Sequence, residues 1–254
     1  MALNNIHIGT SGWSYKKWID LFYPKSLKPA EYLQYYLQYF DTTEINTTFY
    51  HTPRVSSAEN WAAAVPSHFT FCAKMNRYIT QMKKLRDPEE PLERFFTAIA
   101  PLQPKSGPVL IQLPPSLRFN YDVTEYFYSV LRRDYNQYNY ALEARNTSWF
   151  EEDSLNLMAK YNIAFVISQS GNVFPYAEFV TATNIYVRFH GPAALYASPY
   201  SPEMLDSYAN KFVHWMKEGH IIWAYFNNDI NGYAVQDAQL LKEIINKKIN
   251  ATNR

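Results

Sequence analysis

Glycine is scarce in this chain, with seven residues among 254. Neither G-x-x-x-x-G-K-[ST] nor G-x-G-x-x-G occurs, so the sequence has no glycine loop of the kind that cradles nucleotide phosphates. Cysteine is scarcer, since Cys72 stands alone. An internal disulfide is excluded, and the chain suits a reducing compartment. Long apolar runs are missing: none approaches the roughly 20 residues that span a bilayer. The opening "MALNNIHIGTSGWS" lacks the basic and apolar regions of a signal peptide. Net charge is almost absent too, at +1. That removes the global attraction on which polyelectrolyte binding draws and leaves only local patches. The expectation is a soluble cytoplasmic protein without a membrane partner.

What the chain has in quantity is apolar and aromatic matter: 47% hydrophobic residues, including 22 Tyr, 16 Phe and 6 Trp. Short apolar or β-branched runs recur as "IHIGTS" (6–11), "TTEIN" (42–46), "FTFCAK" (69–74), "PVLIQL" (108–113), "YALEAR" (140–145), "IAFVIS" (163–168), "IYVRFH" (185–190) and "IIWAYFN" (221–227). Helical patterns separate most of them. Residues 29–40 open with a proline suited to a first turn. Leu92, Phe95, Phe96 and Ile99 make one apolar stripe, and Val123, Phe127, Val130 and Leu131 another. Ser201 and Pro202 start a helix that Gly219 ends, and "AVQDAQLLKEIINKK" forms a last one. Strand alternating with helix eight times over this length indicates a single-domain (β/α)8 TIM-type barrel, 1–254. Between strands six and seven, "GNVFPYAEFVTAT" leaves room only for an abbreviated sixth helix. A doubly wound open sheet is the alternative.

The strands also carry charge, and the two-residue period says where. In "TTEIN", Glu44 and Asn46 share a face. Glu143 and Arg145 oppose Leu142 and Ala144; Arg188 and His190 oppose Val187 and Phe189; Lys74 lies with Cys72 opposite Phe71 and Ala73. Gln112, Tyr225, Asn227, His7 and Ser11 fall on the corresponding faces of their strands. Apolar faces suit the covering helices, so the polar faces point inward near the C-terminal strand ends, where barrels of this type place their sites. Lys74, Arg145 and Arg188 outnumber Glu44 and Glu143. Unpaired buried charge costs several kcal/mol, so the surplus favours an anionic ligand, which arginine can grip bidentately. The competing reading is an ion network that satisfies itself and plugs the interior.

The motifs "GTSGWSYKKW", "YYLQYFDTTEINTTFYHTP", "FTFCAKMNRYIT", "LIQLPPS", "LEARNTSWF", "YVRFHG" and "YFNNDINGYAVQDA", in that order, closely resemble the YecE-like family of TIM barrels, the domain of unknown function numbered seventy-two. The resemblance covers essentially the whole chain. It implies a TIM-type barrel and supplies no activity. One position departs from it: the family commonly has a histidine after the arginine of strand five, and here Arg145 is followed by Asn146. A mechanism needing that imidazole is unsupported.

Of the available chemistries, metal catalysis is disfavoured because the six histidines form no H-x-H or H-E-x-x-H and cations crowd the acids. No cofactor is indicated. A glycosidase would need its carboxylates about 5–5.5 Å or about 6.5–9.5 Å apart, and adjacent cations would hurt the general acid. Cys72 with His190 as a nucleophile pair is a poorer reading than Cys72 as core. The expected partner is a small anionic molecule bearing phosphate or carboxylate. Lys74, Arg145 and Arg188 would hold it, with Asn46, Gln112 and Asn227 orienting it. Glu44, Glu143 and His190 would supply acid, base or orientation. Trp13, Tyr15, Tyr50 and Trp149 would form walls, packing beneath the loops being their other reading. The runner-up is nucleic-acid binding, with Arg77, Lys83, Lys84 and Arg86 on the backbone. A non-catalytic metabolite-binding protein is the third.

Overall fold

The computed structural model describes residues 5–252. They fall into two compact units. The first gathers the chain up to Thr43, Ser168–Tyr176 and the chain from Ile185 onward; the second is Glu44–Ile167 with Ala177–Asn184. All eight apolar segments form strands: β1 Ile6–Thr10, β2 Thr42–Ile45, β3 Thr70–Ala73, β4 Val109–Gln112, β5 Tyr140–Glu143, β6 Ile163–Gln169, β7 Asn184–Phe189 and β8 Ile221–Phe226. The helices are α1 Tyr32–Tyr36, α2 Thr47–Tyr50, α3 Val55–Ala64, α4 Glu89–Ile99, α5 Tyr121–Asp134, α6 Glu152–Lys160, α7 Pro202–Lys217 and α8 Tyr233–Thr252.

In the second unit β4 runs parallel to β5, pairing Gln112 with Glu143, and β5 runs parallel to β6, pairing Tyr140 with Ile163. β3 joins β4 through the bridges Phe71↔Ser106 and Lys74↔Leu110, and Lys74 N donates to Ile45 O of β2 at 3.2 Å. These strands are buried on both faces, as parallel strands under helices must be. α4 supplies part of the cover: its stripe of Leu92, Phe95, Phe96 and Ile99 is buried as the spacing indicates. α5 buries Phe127, Val130 and Leu131, and starts where Asn120 Oδ1 accepts from Val123 N at 3.0 Å.

In the first unit β1 runs parallel to β8 from Ile6↔Ile222 to Thr10↔Phe226. Asn227 N donates to Phe189 O of β7 at 2.8 Å, and His190 N to Gln169 O at the end of β6 at 2.7 Å. α7 begins at a Ser201 cap and ends before Gly219, at φ +93°, as its sequence indicates. Much of the aromatic surplus is spent around Tyr23, which stacks on Tyr32 at 4.1 Å with Phe22, Tyr35, Tyr36 and Trp18 about it.

Three expectations need correction. The eight strands do not share one continuous ladder: six form one sheet, and β2 pairs with β3, which meets β4 through isolated bridges. In the first unit, the place of a β1–β2 ladder is taken by side chains. Thr10 N donates to the Tyr36 hydroxyl at 3.0 Å, that hydroxyl donates to Thr42 O at 3.1 Å, and Thr43 Oγ1 donates to Thr10 O at 3.1 Å. Gly9 permits the approach, since a Cβ there would lie 2.2 Å from Thr42 O. Second, residues 170–183 hold no abbreviated sixth helix. Thr181 instead ties this segment to β6, donating to Ile163 O at 2.7 Å and accepting from Phe165 N at 2.8 Å. Third, the helix expected over 29–40 is shortened to α1, preceded by a 3-10 turn at Pro29–Glu31.

Candidate functional site

Each unit presents a polar group at the C-terminal ends of its strands. In the second unit Glu44 lies on β2, Lys74 follows β3, Gln112 ends β4 and Glu143 ends β5. All four are buried, Glu44 and Glu143 completely. Lys74 Nζ donates to Gln112 Oε1 at 2.7 Å and stands 4.1 Å from the centre of the Phe49 ring. Arg145 Nε and Nη2 both reach Glu143 Oε1, at 3.3 and 3.2 Å. This is a side-on ion pair rather than the two-oxygen fork, and it leaves Arg145 part-exposed above a wholly buried carboxylate. Gln112 and Glu143 are register partners, and Lys74, bridged to Leu110 two residues earlier, reaches up to Gln112 with its side chain.

α2 explains how the rim is held. Thr48 Oγ1 donates to Ile45 O and Lys74 O, both at 2.7 Å, and Asn76 Nδ2 donates to Thr48 O at 3.1 Å. That helix also corrects the reading of Asn46. β2 ends at Ile45, and Asn46 has a helical backbone (φ −78°, ψ −21°) as the residue that starts α2. The alternation that would place it on Glu44's face stops one residue earlier. Tyr50 is exposed at the rim with the Arg77 guanidinium 5.7 Å from its ring centre. Trp149 is no wall: it is buried, its indole N–H donates to Leu117 O at 2.9 Å and Phe119 packs edge-on. Asn146, where the family resemblance leads one to expect histidine, does structural work. Its Oδ1 accepts from Ser148 N at 3.1 Å and Ser148 Oγ at 2.8 Å, and its Nδ2 donates to Pro115 O at 2.9 Å. The amide ties the loop after β5 to the loop after β4.

In the first unit Arg188 and His190 are buried at the end of β7. Asn227 Nδ2 sits 3.1 Å from His190 Nδ1, and Phe174 and Tyr196 meet the ring edge-on. With the Asn227 amide donating, Nδ1 is the acceptor of this bond. Trp13 and Tyr15 are half-buried. The Tyr15 hydroxyl donates to Ser11 O and the Trp13 carbonyl accepts from Tyr23, so both belong to a knotted loop after β1. His7, on the polar face of β1 by alternation, stacks on Trp223 at 4.0 Å, and burial lowers its pKa.

Sequence reasoning missed a buried network behind β7 and β8. Asp237 Oδ2, on α8, accepts from Asn228 Nδ2 at 2.7 Å and Tyr200 N at 3.1 Å. The Tyr200 hydroxyl meets Gln169 Oε1 at 2.5 Å and accepts from Gly191 N at 3.0 Å. Ser198 Oγ gathers the amides of Ala193 and Ala194 at 3.0 and 2.9 Å, folding the loop after β7. Burial pushes the Asp237 carboxyl up to about 6 against the two bonds that lower it. The signal available was the acid inside an otherwise apolar helix stripe of "YAVQDAQLL". Among the described residues no three His, Cys, Asp or Glu side chains gather as a metal site, and no helix is long and apolar enough to cross a membrane.

The family model described as "Protein of unknown function DUF72" matches residues 7–254. A curated relative, the UPF0759 protein YecE of Escherichia coli K12, is 26% identical over 234 residues, 83% of this chain and 82% of its own. The crystal structure of a DUF72 family protein from Thermotoga maritima is 29% identical, with a TM-score of 0.83 over 95% of this chain and 99% of that one. A xylose isomerase domain containing protein from Salmonella typhimurium shares the fold at 9% identity, with a TM-score of 0.53 over 99% and 98% of the two chains. The architecture is thus α/β of the TIM-barrel-like kind.

Proposed function

Because the chain belongs to the DUF72 family of proteins of unknown function, its activity has to be argued from its own side chains, and we propose that it is a metal-independent enzyme acting on a small molecule that bears phosphate or carboxylate. The observation that carries this reading is the buried cluster of Lys74, whose ammonium reaches Gln112 Oε1 at 2.7 Å, Gln112 and its register partner Glu143, with Arg145 on Glu143. Parallel-barrel interiors at that depth are ordinarily packed with branched apolar residues, and strand-end charge marks sites. Lys74 and Arg145 hold the anion, Gln112 orients the ammonium, and Glu143 carries the proton. Glu44 is the other buried strand carboxylate beside Glu143 in that group, with Asn46 and Tyr50 following it. In the first unit Arg188 is the anion holder, and His190, fixed by Asn227, presents an N–H, with Trp13 and Tyr15 lining the loop. Trp149 supports the loops from beneath.

Nucleic-acid binding is the weaker reading, since Lys83 already pairs with Asp87 at 3.2 Å and Arg77 with the Tyr50 ring. The test is a thermal-shift screen of phosphorylated and carboxylated metabolites, followed by turnover of the hits. The expected result is a hit whose stabilisation disappears in Arg145→Ala and Lys74→Ala, and whose turnover alone disappears in Glu143→Gln. A hit indifferent to all three substitutions overturns the roles.

A further inference from the structure

We propose that the second unit carries a separate oxyanion subsite, lined by Lys84, Arg86 and Arg118 and sized for a single phosphoryl group. These side chains border a cavity of about 90 Å³ together with Leu117, Asn120 and Trp149. They come from the loops after β3 and β4, the strands whose ends carry Lys74 and Gln112. No acid lines the cavity.

The decisive feature is the pairing of the cations. Several other cations of the second unit have acids beside them: Lys83 with Asp87 at 3.2 Å, Arg133 with Asp134 at 2.7 Å, Lys160 with Glu125 at 3.4 Å. Among the described residues Lys84, Arg86 and Arg118 make no ion pair and no side-chain hydrogen bond. Three like charges around so small a space repel one another, and an anion between them reverses the sign of every one of those interactions. The loop holds them there at some cost. Lys84, Leu85 and Asp87 all have left-handed backbones, at φ +52°, +68° and +42°, although none is glycine. Leu85 is buried, and it anchors the turn so that the residues on either side of it border the cavity. The first turn of α5 borders the same space through Val123 and Thr124, behind its Asn120 cap. The cavity has room for one tetrahedral oxyanion. The occupant is therefore inorganic phosphate or the terminal phosphoryl group of a small metabolite.

This inference does not depend on the strand-end reading, and one experiment separates the two. Inorganic phosphate, and in a second arm a sugar monophosphate, is titrated into the isotope-labelled full chain at low ionic strength, with chloride as control. The expected result is saturable movement of the Trp149 indole N–H and the amides of residues 84–86 and 118–124. Its midpoint rises at least tenfold in Arg86→Gln/Arg118→Gln, whose unchanged melting temperature shows that the exposed substitutions leave the fold intact. Saturation by phosphate alone assigns the site to the free ion; tighter saturation by the monoester assigns it to a metabolite. Movement confined to residues 74–76, 112 and 145, movement equal in the double variant, or none at all overturns the subsite.

Discussion

Two buried carboxylates in this protein are satisfied by opposite means. Glu143, in the second unit, meets the Arg145 guanidinium at 3.2 Å. Asp237, in the first, meets only neutral donors, the Asn228 amide at 2.7 Å and the Tyr200 backbone N–H at 3.1 Å. Burial penalises an ionised acid, and only a nearby cation cancels that cost with charge. The Asp237 carboxyl is accordingly pushed up to about 6. The first arrangement sets a guanidinium against a buried carboxylate. The second makes a joint between a loop, a strand end and a helix whose strength depends on pH.

Cutting the charged pair breaks this contrast most severely. Arg145→Met leaves Glu143 without its guanidinium and is expected to lower stability by about 2–3 kcal/mol in urea unfolding at neutral pH. Adding Glu143→Gln restores most of it, because a neutral amide needs no countercharge. If the double variant is as unstable as the single one, the loss came from packing and the ion pair is incidental.

The neutral joint responds to pH instead. The folded-state pKa of Asp237 lies above its ordinary value of 3.8, so the folded protein binds the proton more tightly than the unfolded chain does. Its stabilising effect is complete below about pH 4 and lost as pH rises through about 6. Asp237→Asn keeps the acceptor and removes the titration. Relative to wild type, the variant should gain about 2 kcal/mol between pH 4 and pH 7.5 in paired denaturation curves. A constant difference across that range would show Asp237 to be well solvated.

Smaller effects sharpen the comparison. Asn228→Ala removes a donor that holds the Asp237 carboxyl down, so its titration in carboxyl NMR should move above 6, with about 1 kcal/mol lost at pH 7. Asn146→Ala, which frees Ser148 and Pro115 O at a half-exposed loop, should cost no more than about 1 kcal/mol in thermal melts.

All eight strands were legible because each is an apolar run bounded by polar residues, and so were α4 and α7, which carry a stripe and a cap. Alternation also gave the burial of Glu143, Lys74 and Arg188 on strand ends. It failed at Asn46, where a helix of four residues begins inside what reads as strand. It could not show that Tyr36 would replace backbone pairing between β1 and β2, because that depends on a hydroxyl reaching across from a helix. The weakly patterned α3 and the short α6 were not anticipated, since "VSSAENWAAA" has no strong stripe and α6 spans only nine residues. The Asp237 joint was hidden for a different reason: its partners are far apart in sequence, and an isolated acid in a helix usually faces water.

Under the proposed function, the Lys74, Gln112, Glu143 and Arg145 group holds a ligand at some expense of stability. Melting temperature with and without a screened hit, compared between wild type and Lys74→Met/Glu143→Gln/Arg145→Met, addresses it most directly. The account predicts a variant that melts as high as wild type or higher, and no longer responds to the hit. A variant that melts far lower while keeping the full response would mean that these charges only brace the strands, and would contradict it.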